Sequence, residues 1–247
     1  MDAVTEDRLL DGRVRLRQPA RGYRAGLDAA LLAAACDAQP GQRVLEAGCG
    51  AGGALLAAAV RRPGVRFVGV ERDAAALALA QENIALNGFE GRVEAIEGDV
   101  AVRFSTLGLE PFDAAMTNPP FFDDSGTLRG PAPERRAAWM ADDGLAAWIG
   151  FMSKGVREGG SLTLIHRADR LADILALLGE MCGGLQILPI HPFPDEPAKR
   201  VLVRAIKTGK APLRLLPALV LHDRNGDKHR PEVEAILRGD AAISWAV

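Results

Sequence analysis

One stretch limits what this chain can fold into more than any other. Arg43-Val44-Leu45-Glu46-Ala47 reads as a core strand and runs directly into Gly48-Cys49-Gly50-Ala51-Gly52-Gly53. A helix follows from about Ala54 to Arg61, and a second strand, Val65 to Val70, ends at Glu71. Glycines let the backbone turn tightly and approach a ligand, and the helix behind them presents free N–H groups. Glu71 falls about twenty residues past the glycines, where an acid can grip ribose hydroxyls. Strand, glycine turn, helix, strand and acid in register specify an open α/β sheet with a ligand at the carboxyl ends of its strands.

The glycine turn alone leaves two ligands open. Gly48, Gly50 and Gly53 satisfy G-x-G-x-x-G, which points to NAD; Glu46, Gly48, Gly50 and Gly52 satisfy E-x-G-x-G-x-G, which points to S-adenosylmethionine. The next segments continue the pattern. Asp73 is placed to cap a helix through Leu86, closed by Asn87-Gly88. A third strand, Arg92 to Ile96, leads to Glu97-Gly98-Asp99-Val100, in which Asp99 can accept an adenine amino hydrogen and Val100 offers a backbone N–H. The bland role for Asp99 is to cap the next short helix.

A fourth strand, Phe112 to Met116, delivers Thr117-Asn118-Pro119-Pro120-Phe121-Phe122. Two prolines have no N–H for a ladder and force a stiff extended turn. Asn118 offers a side-chain carbonyl and amide, the prolines offer carbonyls, and Phe121 offers a flat face. That set suits a planar group with an exocyclic NH2.

Elsewhere the signals are weaker. Arg13-Val14-Arg15-Leu16-Arg17 alternates like a half-buried strand, and five arginines lie between Arg13 and Arg24 with no acid among them. That run is either a solvated strand face or a phosphate-contacting edge. Asp28 is a candidate N-cap for a helix over Ala29–Ala38, ended by Pro40-Gly41. The loop after Phe122 ends in Arg129, Arg135 and Arg136, and a helix is expected over Ala137–Val156, with Trp139 and Trp148 near its apolar face. Ser161–His166 reads as strand five and Asp169–Cys182 as a helix. Leu185–Ile190 and Arg200–Ile206 read as a hairpin that makes one strand antiparallel, and Pro231–Leu237 as a terminal helix.

Composition narrows the class. With 247 residues and 48% hydrophobic content the chain supports one large α/β domain, divided here into an N-terminal segment (1–40), a core (41–210) and an extension (211–247). No apolar run of membrane-spanning length and no signal peptide is legible, and the three scattered cysteines suit free thiols in the cytoplasm. Neither Cys nor His shows metal-ligand spacing. A net charge of −2 means that any nucleic-acid contact must rest on a local basic patch.

Taken together, Glu46-x-Gly48-x-Gly50-x-Gly52, Glu71, Gly98-Asp99 and Asn118-Pro119-Pro120-Phe121 resemble the successive motifs of the class I S-adenosylmethionine-dependent methyltransferases that act on amino groups. Gly22-Tyr23-Arg24-x-Gly26-x-Asp28 and Ala198-Lys199-Arg200-Val201-Leu202-Val203-Arg204 make the chain similar to the bacterial tRNA1(Val) adenine N6-methyltransferase family. The resemblance implies a Rossmann-like seven-stranded sheet of order 3-2-1-4-5-7-6, with its last strand antiparallel and helices on both faces. It implies S-adenosylmethionine held by Glu46, Gly48, Cys49, Gly50, Gly52, Glu71, Arg72, Asp99, Val100 and Asn118. Asn118, Pro119, Pro120 and Phe121 would form the catalytic turn, and Arg21, Tyr23, Arg24, Phe122 and Arg129 would meet an RNA substrate, with tRNA the expected class. Three rivals stay open: a protein glutamine methyltransferase, which typically carries a helical domain before the core where only about forty residues stand here; a non-catalytic RNA-binding protein keeping the fold; and an NAD oxidoreductase. Monomer and homodimer are equally compatible with the sequence.

Overall fold

The computed structural model describes residues 3–20, 24–120, 143–226 and 228–246. The chain opens with a hairpin, β1 (Val4–Leu9) and β2 (Val14–Pro19), followed by α1 (Leu27–Ala35). Then come β3 (Arg43–Ala47), α2 (Gly53–Arg61), β4 (Arg66–Glu71), α3 (Ala74–Leu86), β5 (Val93–Glu97) and β6 (Phe112–Thr117). The second half holds α4 (Asp143–Gly155), β7 (Val156–Arg167), α5 (Leu171–Gly179), β8 (Cys182–His191), β9 (Arg200–Lys207), β10 (Arg214–Leu215), β11 (Leu219–Val220) and α6 (Pro231–Arg238).

Apart from the hairpin, the strands form one sheet in the order β5-β4-β3-β6-β7-β9-β8-β10, with β11 also on β8. The first seven reproduce the expected 3-2-1-4-5-7-6 order. β9 runs antiparallel to both neighbours, and the other pairings are parallel. Among the described residues the sheet has nine strands rather than seven, because Leu213–Leu221, readable in the sequence as a short strand or coil, supplies two short strands. β10 pairs with Gln186–Ile187 and β11 with Ile190–His191. Pro217, which cannot donate to a ladder, separates them.

Strand side chains alternate between two cores, as a doubly covered sheet requires. Val44, Phe67, Ala114, Met116 and Ile165 face α1, α2, α3 and α6; Leu45, Val68, Ala115, Leu162 and Leu164 face α4 and α5. α1 is buried from Ala29 through Ala35 without a polar stripe, packed against α2, α6 and β7. Its alanines allow that close approach, and a helix apolar all round belongs inside. The C-terminal segment seals it: Trp245 Nε1 donates to Ala35 O at 2.8 Å and Ile243 N to Ala34 O at 3.0 Å.

Several expectations change. The N-cap of α1 is Gly26, not Asp28, and no side chain caps it. Asp28 lies in the first turn and pairs with Arg200 at 3.0 Å, so the two flanking sequence motifs meet in space. The helix stops at Ala35 and Cys36–Ala38 lie beyond it. Gly155 ends α4, and β7 begins at Val156, earlier than expected. α5 is shorter than expected, because Cys182 already belongs to β8. The strand at Arg13–Arg17 exists, but its partner β1 lies in the acidic N-terminal stretch, which carries no apolar signal.

Candidate active site

The parallel register brings four segments to one edge. Ala47, the last residue of β3, sits beside Val70 of β4 on one side and Thr117 of β6 on the other, and Glu71 pairs with Glu97 at the end of β5. Along that edge the order is therefore Asp99, Glu71, the glycine turn, Asn118. Three strand steps separate the outer two, roughly 14 Å at normal spacing. Thr117 Oγ1 donates to Ala47 O at 2.9 Å and fixes the mouths of β3 and β6 together.

The glycine turn is held from below and left open above. Gly48 N and Cys49 N both donate to Val70 O, at 2.8 and 3.1 Å. Gly50 N donates to Glu71 Oε2 at 2.9 Å, while Glu71 Oε1 accepts from Arg72 N and Asp73 N, each at 2.9 Å. A carboxylate can accept about four hydrogen bonds, so Glu71 is oriented without being exhausted. Gly48 has φ +67°, and a Cβ there would stand 2.2 Å from the Trp148 ring. Gly50 has φ +54° with nothing within 4 Å of its absent Cβ, so the backbone is bare on a side where a ligand can approach.

Glu46 is 3% exposed, and its Oε2 has no hydrogen-bond partner among the described residues. Burial, and secondarily the negative Glu71, push its carboxyl well above the ordinary carboxylate range, opposed by the Leu55 backbone N–H in the first turn of α2. A buried acid that lacks a partner costs stability, so such a position is a place to look for a cationic ligand. Burial likewise raises the Cys49 thiol far above its usual value, which makes it a wall of the turn rather than a nucleophile.

At the far end, Asp99 Oδ1 accepts from Ala101 N at 2.9 Å and Oδ2 lies 3.7 Å from Arg72. Asp99 does not cap the following 3-10 turn, which begins after Arg103. Val100 packs at the edge of the lower core. Asn118 and Pro120 are half-buried and Pro119 is buried.

Residues 24–130 match the methyltransferase small domain family. Over 198 residues the chain is 30% identical to a tRNA1(Val) (adenine(37)-N6)-methyltransferase of Porphyromonas gingivalis, with 77% of each chain covered. The chain belongs to the S-adenosylmethionine-dependent tRNA1(Val) adenine N6-methyltransferase family. It is also 28% identical over 166 residues to a release factor glutamine methyltransferase of Chlorobaculum tepidum, spanning 64% of this chain and 56% of that protein. A crystal structure from Agrobacterium tumefaciens, described as a predicted O-methyltransferase, superimposes with a TM-score of 0.75 at 31% identity, covering 89% of this chain and all (100%) of that one. The fold is the class I methyltransferase fold, and the cofactor is S-adenosylmethionine. The residues present fit it: a bare glycine turn, an oriented acid at Glu71 and a buried carboxyl at Glu46 with one oxygen lacking a hydrogen-bond partner among the described residues.

The substrate side is placed in part. Arg24 forms an ion pair with Asp7 and donates to Thr5 Oγ1 at 2.8 Å and Pro19 O at 3.2 Å, so it is woven into the hairpin. Acids from elsewhere meet the arginine run: Arg13 pairs with Asp240 at 2.6 Å, Arg15 with Glu6 at 3.0 Å, and Arg17 with Glu6 and Glu82 at 3.6 and 3.7 Å. Arg21, Tyr23, Phe121, Phe122, Arg129, Arg135, Arg136 and Trp139 lie outside the described residues. Two site-adjacent roles were missed in the sequence. Trp148 is the plug beneath Gly48, and the fully buried Asn83 of α3 reaches the glycine turn at Ala51. Asn83 had a signal, since an asparagine inside an alanine-rich helix competes for backbone groups and needs another reason to be there.

Proposed function

We propose that the acceptor is the exocyclic amine of an adenine in RNA, with tRNA the expected class, and that the chain works in the cytoplasm as a single catalytic unit. The observation that carries this reading is the Asn118-Pro119-Pro120 turn, one strand step from the glycine turn on the same edge. The similarity to named tRNA adenine N6-methyltransferases over most of the chain supports it. The glutamine alternative is weaker, since the match to that enzyme leaves out nearly half of its length.

S-adenosylmethionine supplies a methyl group on a positively charged sulfur, an electrophile that carries its own leaving group. The protein's task is then to position and desolvate the acceptor. The Asn118 side-chain carbonyl and the Pro119 carbonyl each take one hydrogen of the NH2 group, which leaves the nitrogen lone pair facing the cofactor. Phe121 stacks on the ring. The base is swung out of its stack to reach the turn. Glu71 would receive the ribose hydroxyls, Asp99 and the Val100 N–H would hold the adenine of the cofactor, and Glu46 would face its cationic end. Arg21, Tyr23, Phe122 and Arg129 meet the RNA, while Arg24, the remaining residue expected there, is engaged by Asp7, Thr5 and Pro19 of the hairpin.

Nucleoside mass spectrometry of unmodified tRNA incubated with enzyme and cofactor tests the proposal. N6-methyladenosine is expected. Its absence, together with methylation of a release-factor glutamine, would replace RNA with protein as the substrate.

A further inference from the structure

Asn83 has 0% exposure and spends its amide on two separate parts of the chain. Its Oδ1 accepts from Arg17 N at 2.8 Å; its Nδ2 donates to Arg17 O at 2.8 Å and to Ala51 O at 2.9 Å. One turn later Asn87 repeats half of this pattern. Oδ1 accepts from Arg15 N at 2.9 Å, and Nδ2 donates to Arg15 O at 2.8 Å and to Asn83 O at 2.7 Å. Four residues of helix rise about 6 Å, close to the roughly 6.7 Å spanned by two residues of strand. The two amides therefore meet alternate backbone pairs of β2. β1 occupies the other edge of β2, so α3 completes the hairpin as a third strand would.

The two asparagines differ in one respect. Among the described residues the Asn87 side chain hydrogen-bonds only the hairpin and its own helix, whereas Asn83 also holds the carbonyl of Ala51, inside the turn that faces the cofactor. We propose that Asn83 is a positioning residue that couples the cofactor turn to the N-terminal hairpin, so that S-adenosylmethionine binding stiffens the hairpin and a docked hairpin tightens the cofactor. Any such coupling is reciprocal. The inference extends the methyltransferase reading. It also rests on the proposed RNA acceptor in one respect: in the sequence, the hairpin immediately precedes Arg21 and Tyr23, assigned there to the substrate.

The test uses no acceptor, so it stands whether or not RNA is the substrate. In the wild-type protein, amide hydrogen exchange of peptides covering 14–19 is expected to slow by about tenfold when S-adenosylmethionine is added, the scale of a typical coupling. By titration calorimetry, Asn83→Ala is expected to weaken cofactor binding by about tenfold and to abolish the exchange response, while Asn87→Ala keeps cofactor affinity within about twofold. Wild-type hairpin exchange that ignores the cofactor would overturn the proposal, as would equal losses of affinity in the two variants. If Asn83→Ala does not fold, the wild-type exchange measurement and Asn87→Ala still decide.

Discussion

With Glu46 toward the cationic end of the cofactor, as proposed, a single carboxyl would link cofactor binding to pH. Its folded value lies above the ordinary 4.5, so the cofactor-free protein prefers it protonated, and that preference costs stability as pH rises from 4.5 through the raised value. A cation placed against it reverses the preference and releases a proton. Cofactor affinity is expected to rise with pH across that window, by at most about tenfold per unit, and the calorimetric enthalpy to depend on the buffer's ionisation heat. Glu46→Gln removes both dependences. Asn118 is the complementary residue, assigned to the acceptor. Asn118→Ala is expected to lower kcat more than tenfold, above ~1.4 kcal/mol of barrier, with cofactor affinity nearly unchanged by titration, since its contact with the acceptor outweighs its contact with the cofactor. Both sites were legible in the sequence, because a glycine-flanked acid and an Asn-Pro-Pro turn are local patterns. The partnerless oxygen of Glu46 was not legible, since burial is decided by α2 and β4.

Among elements, the start of α2 is a tight junction. A Cβ on Gly53 would stand 2.3 Å from the Cβ of Ala25, in the segment that leads from the hairpin to α1. Gly53→Ala is expected to cost about 1–3 kcal/mol by overpacking, measured by urea unfolding. Gly50→Ala meets no atom, and its cost is the left-handed backbone alone, about 1–2 kcal/mol. The same junction separates the two glycine fingerprints. Gly48, Gly50 and Gly52 take positive φ, while Gly53 is a glycine because another element presses on it. Spacing could not distinguish those reasons. The hairpin carries the same lesson, since β1 is held by pairing to β2 and its charged side chains gave no apolar alternation to read.

For the whole molecule, acid stability turns on His166 at the end of β7. It is 3% exposed, and burial, with the nearby Arg170 second, lowers it from 6.5 to about 4. The folded protein holds it neutral. Stability is therefore kept above pH 6.5 and lost as pH falls from 6.5 toward 4, by about 3 kcal/mol. Because Glu46 works in the opposite direction over this range, the comparison is with His166→Gln: between pH 7 and pH 4.5 the wild-type urea midpoint should fall relative to that of the variant. The sequence by itself determined the glycine turn, the acids at Glu71 and Asp99 and the Asn-Pro-Pro turn, because each is written in residues close together in the chain; the order of the seven main strands was available only through the family resemblance those motifs carry. Only the tertiary structure decided that Asp28 meets Arg200, that Asn83 joins Ala51 to Arg17, that Trp148 plugs Gly48, and that the arginine run finds its acids at Glu6, Glu82 and Asp240. Those contacts join residues distant in the chain. Hydrogen bonds and ion pairs are short-ranged, so which side chains meet is fixed by how the layers pack.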